Sequence, residues 1–337
     1  MNETLARNGE IGVTEIRWPE LGSKPQRSAS SGWEEHHGEI IDQFSKRYNI
    51  IRCDMCEFIH AIPIPSEEAL GRYYQTEFYE KEKPSYIDRY NADRVWWTMT
   101  HRRNIHAAAT FISKQNGTMP RVLDVGTGPG IFLDTAAMFD WDTWGIEPSR
   151  ICAKRARRAG HNIFQGTLKE FREDATNQFQ FVHAYEVLEH VSHPLEFLED
   201  CAALLLPHGL VGLVVPNDYN TLQLRAESDL KIGKKRWWLA PPQHLNYFTP
   251  LALQNLMIKA GFEILEVRGS WAMESFLFAG YNYIGNDQIG RFCHQHRMNM
   301  ELQIEKTGMW PLQRQELQQK ILEGIGREIF ILARLAT

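Results

Sequence analysis

The chain has 337 residues, 43% hydrophobic and 23% charged, values close to globular averages that allow one large domain or two moderate ones with an ample core. A net charge of −5 and a pI near 6.2 argue against nucleic-acid binding by bulk electrostatics, and no apolar run approaches the roughly eighteen residues that span a bilayer. Glu3, Glu10 and Glu15 do not suit a secretory signal, and the five cysteines, of which only Cys53 and Cys56 are close in sequence, form no disulfide framework, so a reducing, cytoplasmic setting is expected.

Residues 1–32, with scattered Gly, Ser, Pro and charge, read as a loosely ordered leader. A small unit over 33–89 opens with a helical stretch and continues into Tyr48-Asn49-Ile50-Ile51-Arg52-Cys53-Asp54-Met55-Cys56. Cys53, Cys56 and His60 offer three soft or borderline ligands at zinc-like spacing, a candidate degenerate zinc knuckle. Zinc needs a fourth ligand, and His36 and His37 are the upstream candidates; two thiols buried as small hydrophobes are the alternative. Pro63 and Pro65 precede Ser66-Glu67-Glu68, a helix start, and a helix over 90–113 carries Trp96, Trp97 and His101.

The run Val122-Leu123-Asp124-Val125-Gly126-Thr127-Gly128-Pro129-Gly130 is an apolar strand entering a loop with glycine at every second position. Ile131, Leu133, Ala136 and Ala137 then give the amphipathic spacing of a helix packed on a sheet. Such a loop permits positive φ, lets a ligand approach bare backbone and turns helix-start amides toward a polar group. Its G-x-G-x-G spacing is not the G-x-G-x-x-G of dinucleotide folds. Thr143-Trp144-Gly145-Ile146-Glu147 is a second strand ending in a carboxylate suited to ribose hydroxyls, followed by Pro148 and Ser149 at the next helix start. A helix over 153–159, a short strand over 162–165 and a fourth strand over 179–185 follow. Pro194 opens a helix with Leu195, Leu198 and Leu205 on one face, Gly209 ends it, and Leu210-Val211-Gly212-Leu213-Val214-Val215 is a fifth strand. The insertion 216–242 holds Lys231, Lys234, Lys235, Arg236 and Trp237-Trp238, a lid-like segment for gripping an acceptor or a solvated face. Residues 261–267 give a sixth strand, and 326–333 a last antiparallel one.

Asp124 with the glycine loop, Glu147 after strand two and Glu186-Val187-Leu188-Glu189-His190 after strand four together resemble class I S-adenosylmethionine-dependent methyltransferases. The resemblance is strong over 121–215 and returns at 261–267. With Cys-x-x-Cys-x-Phe-x-His, Trp237-Trp238, Pro241-Pro242, His244 and Asn246-Tyr247-Phe248, nearly all of the chain after the leader is similar to a bacterial methyltransferase group associated with quinone or envelope-saccharide methylation.

The resemblance implies an α/β fold: a Rossmann-like sheet with helices on both faces over 90–337, a small N-terminal unit, the acceptor-side insertion and a C-terminal extension. It also implies that the helices before strand one cover the cofactor pocket. S-adenosylmethionine is expected on Asp124, Gly126, Thr127, Gly128, Gly130, Glu147, Pro148, Thr167 and Glu186. At Gly166-Thr167-Leu168 the usual adenine-binding acid is missing, which leaves backbone groups and the Thr167 hydroxyl. His190 and His244 are the candidate bases beside a small-molecule or sugar-containing acceptor, with O-methylation preferred. Packing is an equal reading of His190. Quinone-type, amine or carbon methylation, or cofactor binding without turnover, are the alternatives; neither nucleic acid nor a membrane span is expected.

Overall fold

The computed structural model describes residues 36–112, 119–174, 178–232 and 236–336. The leader 1–32, Ser113, Lys234 and Lys235 lie outside them.

Strands β1 (Gly38–Phe44), β2 (Tyr48–Cys53) and β3 (Ile59–Ile62) form an antiparallel sheet, completed by β9 (Asn246–Tyr247) from far along the chain. The helical stretch expected before Tyr48 is therefore corrected, at its described residues, to a strand. β1 reverses through Ser45 at φ 53° and pairs Phe44 with Tyr48, and a bulge between Ile40 and Asp42 shifts its register. Helix α1 (Glu67–Thr76) starts at Ser66, whose hydroxyl accepts from the Ala69 amide, and a five-residue π turn, Phe78–Glu82, follows it. The single helix expected over 90–113 is two, α2 (Tyr86–Ala92) and α3 (Arg94–Ala109), broken at Asp93. Arg291 grips the Asp93 carboxylate through two hydrogen bonds of 2.5 and 2.6 Å.

The second sheet alternates strand and helix: β4 (Arg121–Val125), α4 (Ile131–Ala137), β5 (Asp142–Ile146), α5 (Arg150–Arg158), β6 (Asn162–Phe164), α6 (Leu168–Asp174), β7 (Phe179–Tyr185), α7 (Pro194–Ala203) and β8 (Leu205–Pro216). Helix α8 (Thr221–Leu230) lies in the insertion, and α9 (Pro250–Lys259) leads to β10 (Phe262–Gly269). Helices α10 (Glu274–Phe278), α11 (Asp287–Lys306) and α12 (Trp310–Leu322) precede β11 (Glu328–Leu335). The order is β10-β11-β8-β7-β4-β5-β6, parallel from β6 to β8 and antiparallel at β11. Leu205 is not on the helix face expected for it, and Gly209 ends no helix. β8 begins at Leu205 and bulges against β7 so that Phe179 pairs with Leu205 and Phe181 with Leu210, with His208 at φ 61°.

Two apolar cores sandwich this sheet. Leu123, Val182, Leu198, Leu213 and Leu253 belong to one face, and Ile105, Phe132, Ala136, Phe181 and Leu332 to the other. This is the α/β, Rossmann-like sheet with helices on both faces. Chain order reverses between β4 and β7, which opens a crevice beyond their carboxyl ends, where ligands of open α/β sheets bind. Among the described residues no helix is long and apolar enough to cross a membrane.

Candidate active site

A cavity of about 820 Å³ occupies that crevice. Asp124, Gly126, Thr127, Gly128, Glu147, Pro148, Thr167, Glu186, His190 and His244 all line it, so the topology collects side chains spread over 120 positions of sequence.

The glycine loop is tied to the next strand. Gly126 and Thr127 amides donate to the Ile146 carbonyl, and the Gly128 amide donates to Glu147 Oε2 at 2.7 Å. Ser149 donates to Glu147 Oε1 at 2.8 Å, leaving each carboxylate oxygen a further lone pair. The Gly128 amide is thus already used by Glu147. Burial pushes the Glu147 carboxyl up to about 7; the Ser149 and Gly128 amides oppose that rise and Asp124 adds to it. Gly126 (φ 72°) has no room for a side chain, since a Cβ would meet Val187 at 2.6 Å. Gly128 (φ 51°) faces the cavity, where a Cβ would come within 3.6 Å of the Tyr79 hydroxyl. The Thr127 hydroxyl is buried without a hydrogen-bond partner.

One expectation needs correction. Gly130 does not line the cavity; at φ 88° it begins α4, and a Cβ there would press on Ala156 at 3.2 Å, so its bareness serves helix packing. Thr167 lines the cavity; its hydroxyl donates to Glu170 and accepts from the Glu170 amide, a reciprocal cap of α6 that leaves the hydroxyl one further lone pair.

The Asp124 carboxylate receives a 2.7 Å hydrogen bond from His183 Nδ1, its direct neighbour in the parallel β4–β7 register. His183 is fully buried and stacks on Phe132 with ring centroids 3.8 Å apart. Just past β7, Glu186 adopts φ 53°, an uncommon conformation for a side-chain-bearing residue, and burial together with Glu328 raises its carboxyl to about 7 against the pull of Arg327 and Arg297.

His190 and His244 meet, with ring centroids 4.9 Å apart. His190 Nδ1 donates to the Gln243 carbonyl at 2.7 Å, which leaves Nε2 as the ring's acceptor, 3.6 Å from Glu189 Oε1. Glu189 is buried with both oxygens unbonded, and desolvation, then Glu186, lifts its carboxyl well above the usual range. Burial lowers His190 to about 4 and His244 to about 3, so both rings are neutral near pH 7.

Sequence reasoning missed several lining residues. Tyr79, Tyr86 and Tyr90 join Trp97 and His101 as an aromatic cover, and Tyr283, Asn286 and Arg327 come from the C-terminal extension. The aromatic density of 73–97 was the available signal for the cover; no local motif marks Arg327.

The family model described as a methyltransferase domain matches residues 97–267, half of the chain. The chain belongs to this family. The matched region carries the glycine loop, Glu147, Glu186, His190 and His244 of this S-adenosylmethionine-dependent methyltransferase. It is similar to the ubiquinone biosynthesis O-methyltransferase of Actinobacillus pleuropneumoniae serotype 7, 35% identical over 171 residues that cover 46% of this chain and 71% of that one. The enzyme of the same name from Azorhizobium caulinodans is 28% identical over 181 residues, covering 49% and 70%. The crystal structure of a SAM dependent methyltransferase from Archaeoglobus fulgidus aligns over 70% of this methyltransferase and 94% of that chain, at 16% identity and a TM-score of 0.46.

Proposed function

We propose that this methyltransferase moves the methyl group of S-adenosylmethionine to a hydroxyl of a small-molecule acceptor, of quinone type or sugar-containing. The observation that carries the reading is the single cavity that unites the Gly128–Glu147 floor with the His190–His244 pair. The floor fits the cofactor. Gly128 offers bare backbone, the Thr127 hydroxyl is buried and unpartnered, and Glu147 keeps lone pairs for two ribose hydroxyls. Asp124, held by His183, and Glu186 are the acids for the cofactor's amino-acid end, and Pro148 walls the ribose side.

When bound, the sulfonium supplies an electrophilic methyl whose transfer is an in-line displacement, so the chain's main task is orientation. Tyr79, Tyr86, Tyr90 and Trp97 cover the cavity and keep water from it. His190, neutral and held with its Nε2 lone pair open, is suited to take the acceptor's proton; His244 is the second candidate. The relatives' O-methyltransferase names favour a hydroxyl acceptor of quinone type. The Cys53, Cys56 and His60 unit has a structural rather than a catalytic part, since none of the three lines the cavity.

Single-turnover methyl transfer to a panel of phenolic and saccharide acceptors tests the reading. A methyl ether product supports it. Methylation confined to amines or carbon atoms overturns the O-methyl assignment.

A further inference from the structure

We propose that His36, Cys53, Cys56 and His60 bind a zinc ion that braces the two loops carrying Glu189, His190 and His244. The four residues converge from separate elements: His36 from before β1, Cys53 from the end of β2, Cys56 from the turn after it, and His60 from β3. One donor atom from each lies within 4.8 Å of every other. His36 Nδ1 is 3.4 Å from Cys53 Sγ and 3.5 Å from Cys56 Sγ. In a tetrahedron with Zn–S of about 2.3 Å and Zn–N of about 2.0–2.1 Å, donor atoms stand about 3.3–3.8 Å apart, so the cluster needs little contraction. A tetrahedral S₂N₂ donor set favours zinc over harder cations. Of the two upstream histidines, the fold selects His36; His37 is exposed beside Asp54.

His60 is the independent pointer to a metal. Its ring is fully buried, Nδ1 donates to Asn246 Oδ1 at 2.8 Å, and Nε2 has no hydrogen-bond partner. That is the tautomer a ligating histidine requires: one nitrogen fixed by an outer oxygen, the other with its lone pair free. The outer partner explains the brace. Asn246 Nδ2 donates to the Leu188 and Val191 carbonyls, which bracket Glu189 and His190. The Leu245 and Asn246 amides both donate to the Glu189 carbonyl, and His244 adjoins them. A metal at Nε2 therefore orients His60, His60 orients Asn246, and Asn246 holds the two loops in register.

Metal analysis of the full-length protein, purified without added zinc, gives about one zinc per chain on this account, and Cys56→Ser lowers that content at least tenfold. Should Cys56→Ser fail to fold, wild-type protein loaded with cobalt reports instead, through thiolate charge-transfer absorption that zinc abolishes. Hydrogen exchange then tests the brace: chelation speeds exchange of the Leu245 and Asn246 amides at least tenfold and leaves the β4 amides unchanged. No metal and no cobalt spectrum overturn the site, and unchanged exchange at Leu245 and Asn246 overturns the brace. The effect on His190 and His244 as bases rests on the methyltransferase reading. S-adenosylmethionine titration of the same samples checks that reading separately, because none of the four ligands lines the cavity.

Discussion

Gly128 and Glu147 share a hydrogen bond across the floor of the cavity, and each makes a separable prediction. Gly128→Val places a branched side chain at φ 51°, into the space facing Tyr79, and is expected to abolish S-adenosylmethionine binding in a folded protein. Calorimetry with circular dichroism checks it. Glu147→Gln removes the charge that strengthens ribose hydrogen bonds and is expected to weaken binding by about 2–3 kcal/mol. The same carboxyl sets a pH dependence. Its folded pKa is raised to about 7, so it carries a proton at pH 6, where an ordinary carboxyl is ionised. The ionised form is the better acceptor, so cofactor affinity is full above pH 7 and falls toward tenfold per unit below it. Titrations from pH 5.5 to 8 show that slope in wild type and a shallower one in Glu147→Gln, where Glu186, also raised to about 7, still titrates. At the histidine pair, replacing the true base by Ala cuts single-turnover rates by roughly 10²–10⁴ with cofactor affinity unchanged. Full activity in both His190→Ala and His244→Ala leaves positioning alone as the mechanism.

The elements differ in how well their own residues announced them. β4, β5 and β7 were legible as apolar runs ending in turn residues, because buried parallel strands carry their signal locally. β1 was not, since its polar and charged residues become a strand only through pairing with β2. The start of β8 was mistaken for helix because Leu205 continues the spacing of Leu195 and Leu198, and the bulge that follows is set by β7. The site divides the same way. Asp124, Gly128 and Glu147 lie in continuous motifs, whereas the His183–Asp124 bond depends on the β4–β7 register, and no local pattern reveals it. The break between α2 and α3 has its own test. Arg291 of α11 clamps Asp93 there, and Arg291→Met is expected to cost about 1 kcal/mol in urea denaturation, discounted because the arginine is partly exposed.

Across the whole molecule the cavity has three walls: the aromatic cover from the π turn, α2 and α3, the strand ends of the large sheet, and the C-terminal extension. The extension is bound to the rest by buried and half-buried polar contacts. Trp96 Nε1 donates to Glu301 at 2.8 Å, Arg103 pairs with Glu305 at 3.0 Å, and Arg314 of α12 engages Glu266 of β10, which Arg268 of the same strand also holds. Its last strand, β11, inserts between β8 and β10 and delivers Glu328, with Arg327 before it, to the cavity. Sequence patterning revealed β11 as a strand but not its contribution to the wall, since that depends on a sheet neighbour more than a hundred residues earlier.

Calorimetric titration of the full-length protein with S-adenosylmethionine, and with NADH as control, tests the central claim that this cavity is a methyl-donor site. The account predicts one saturable site for S-adenosylmethionine, none for NADH, and loss of the site in folded Gly128→Val. Saturable NADH binding, or S-adenosylmethionine affinity unchanged in Gly128→Val, would contradict it.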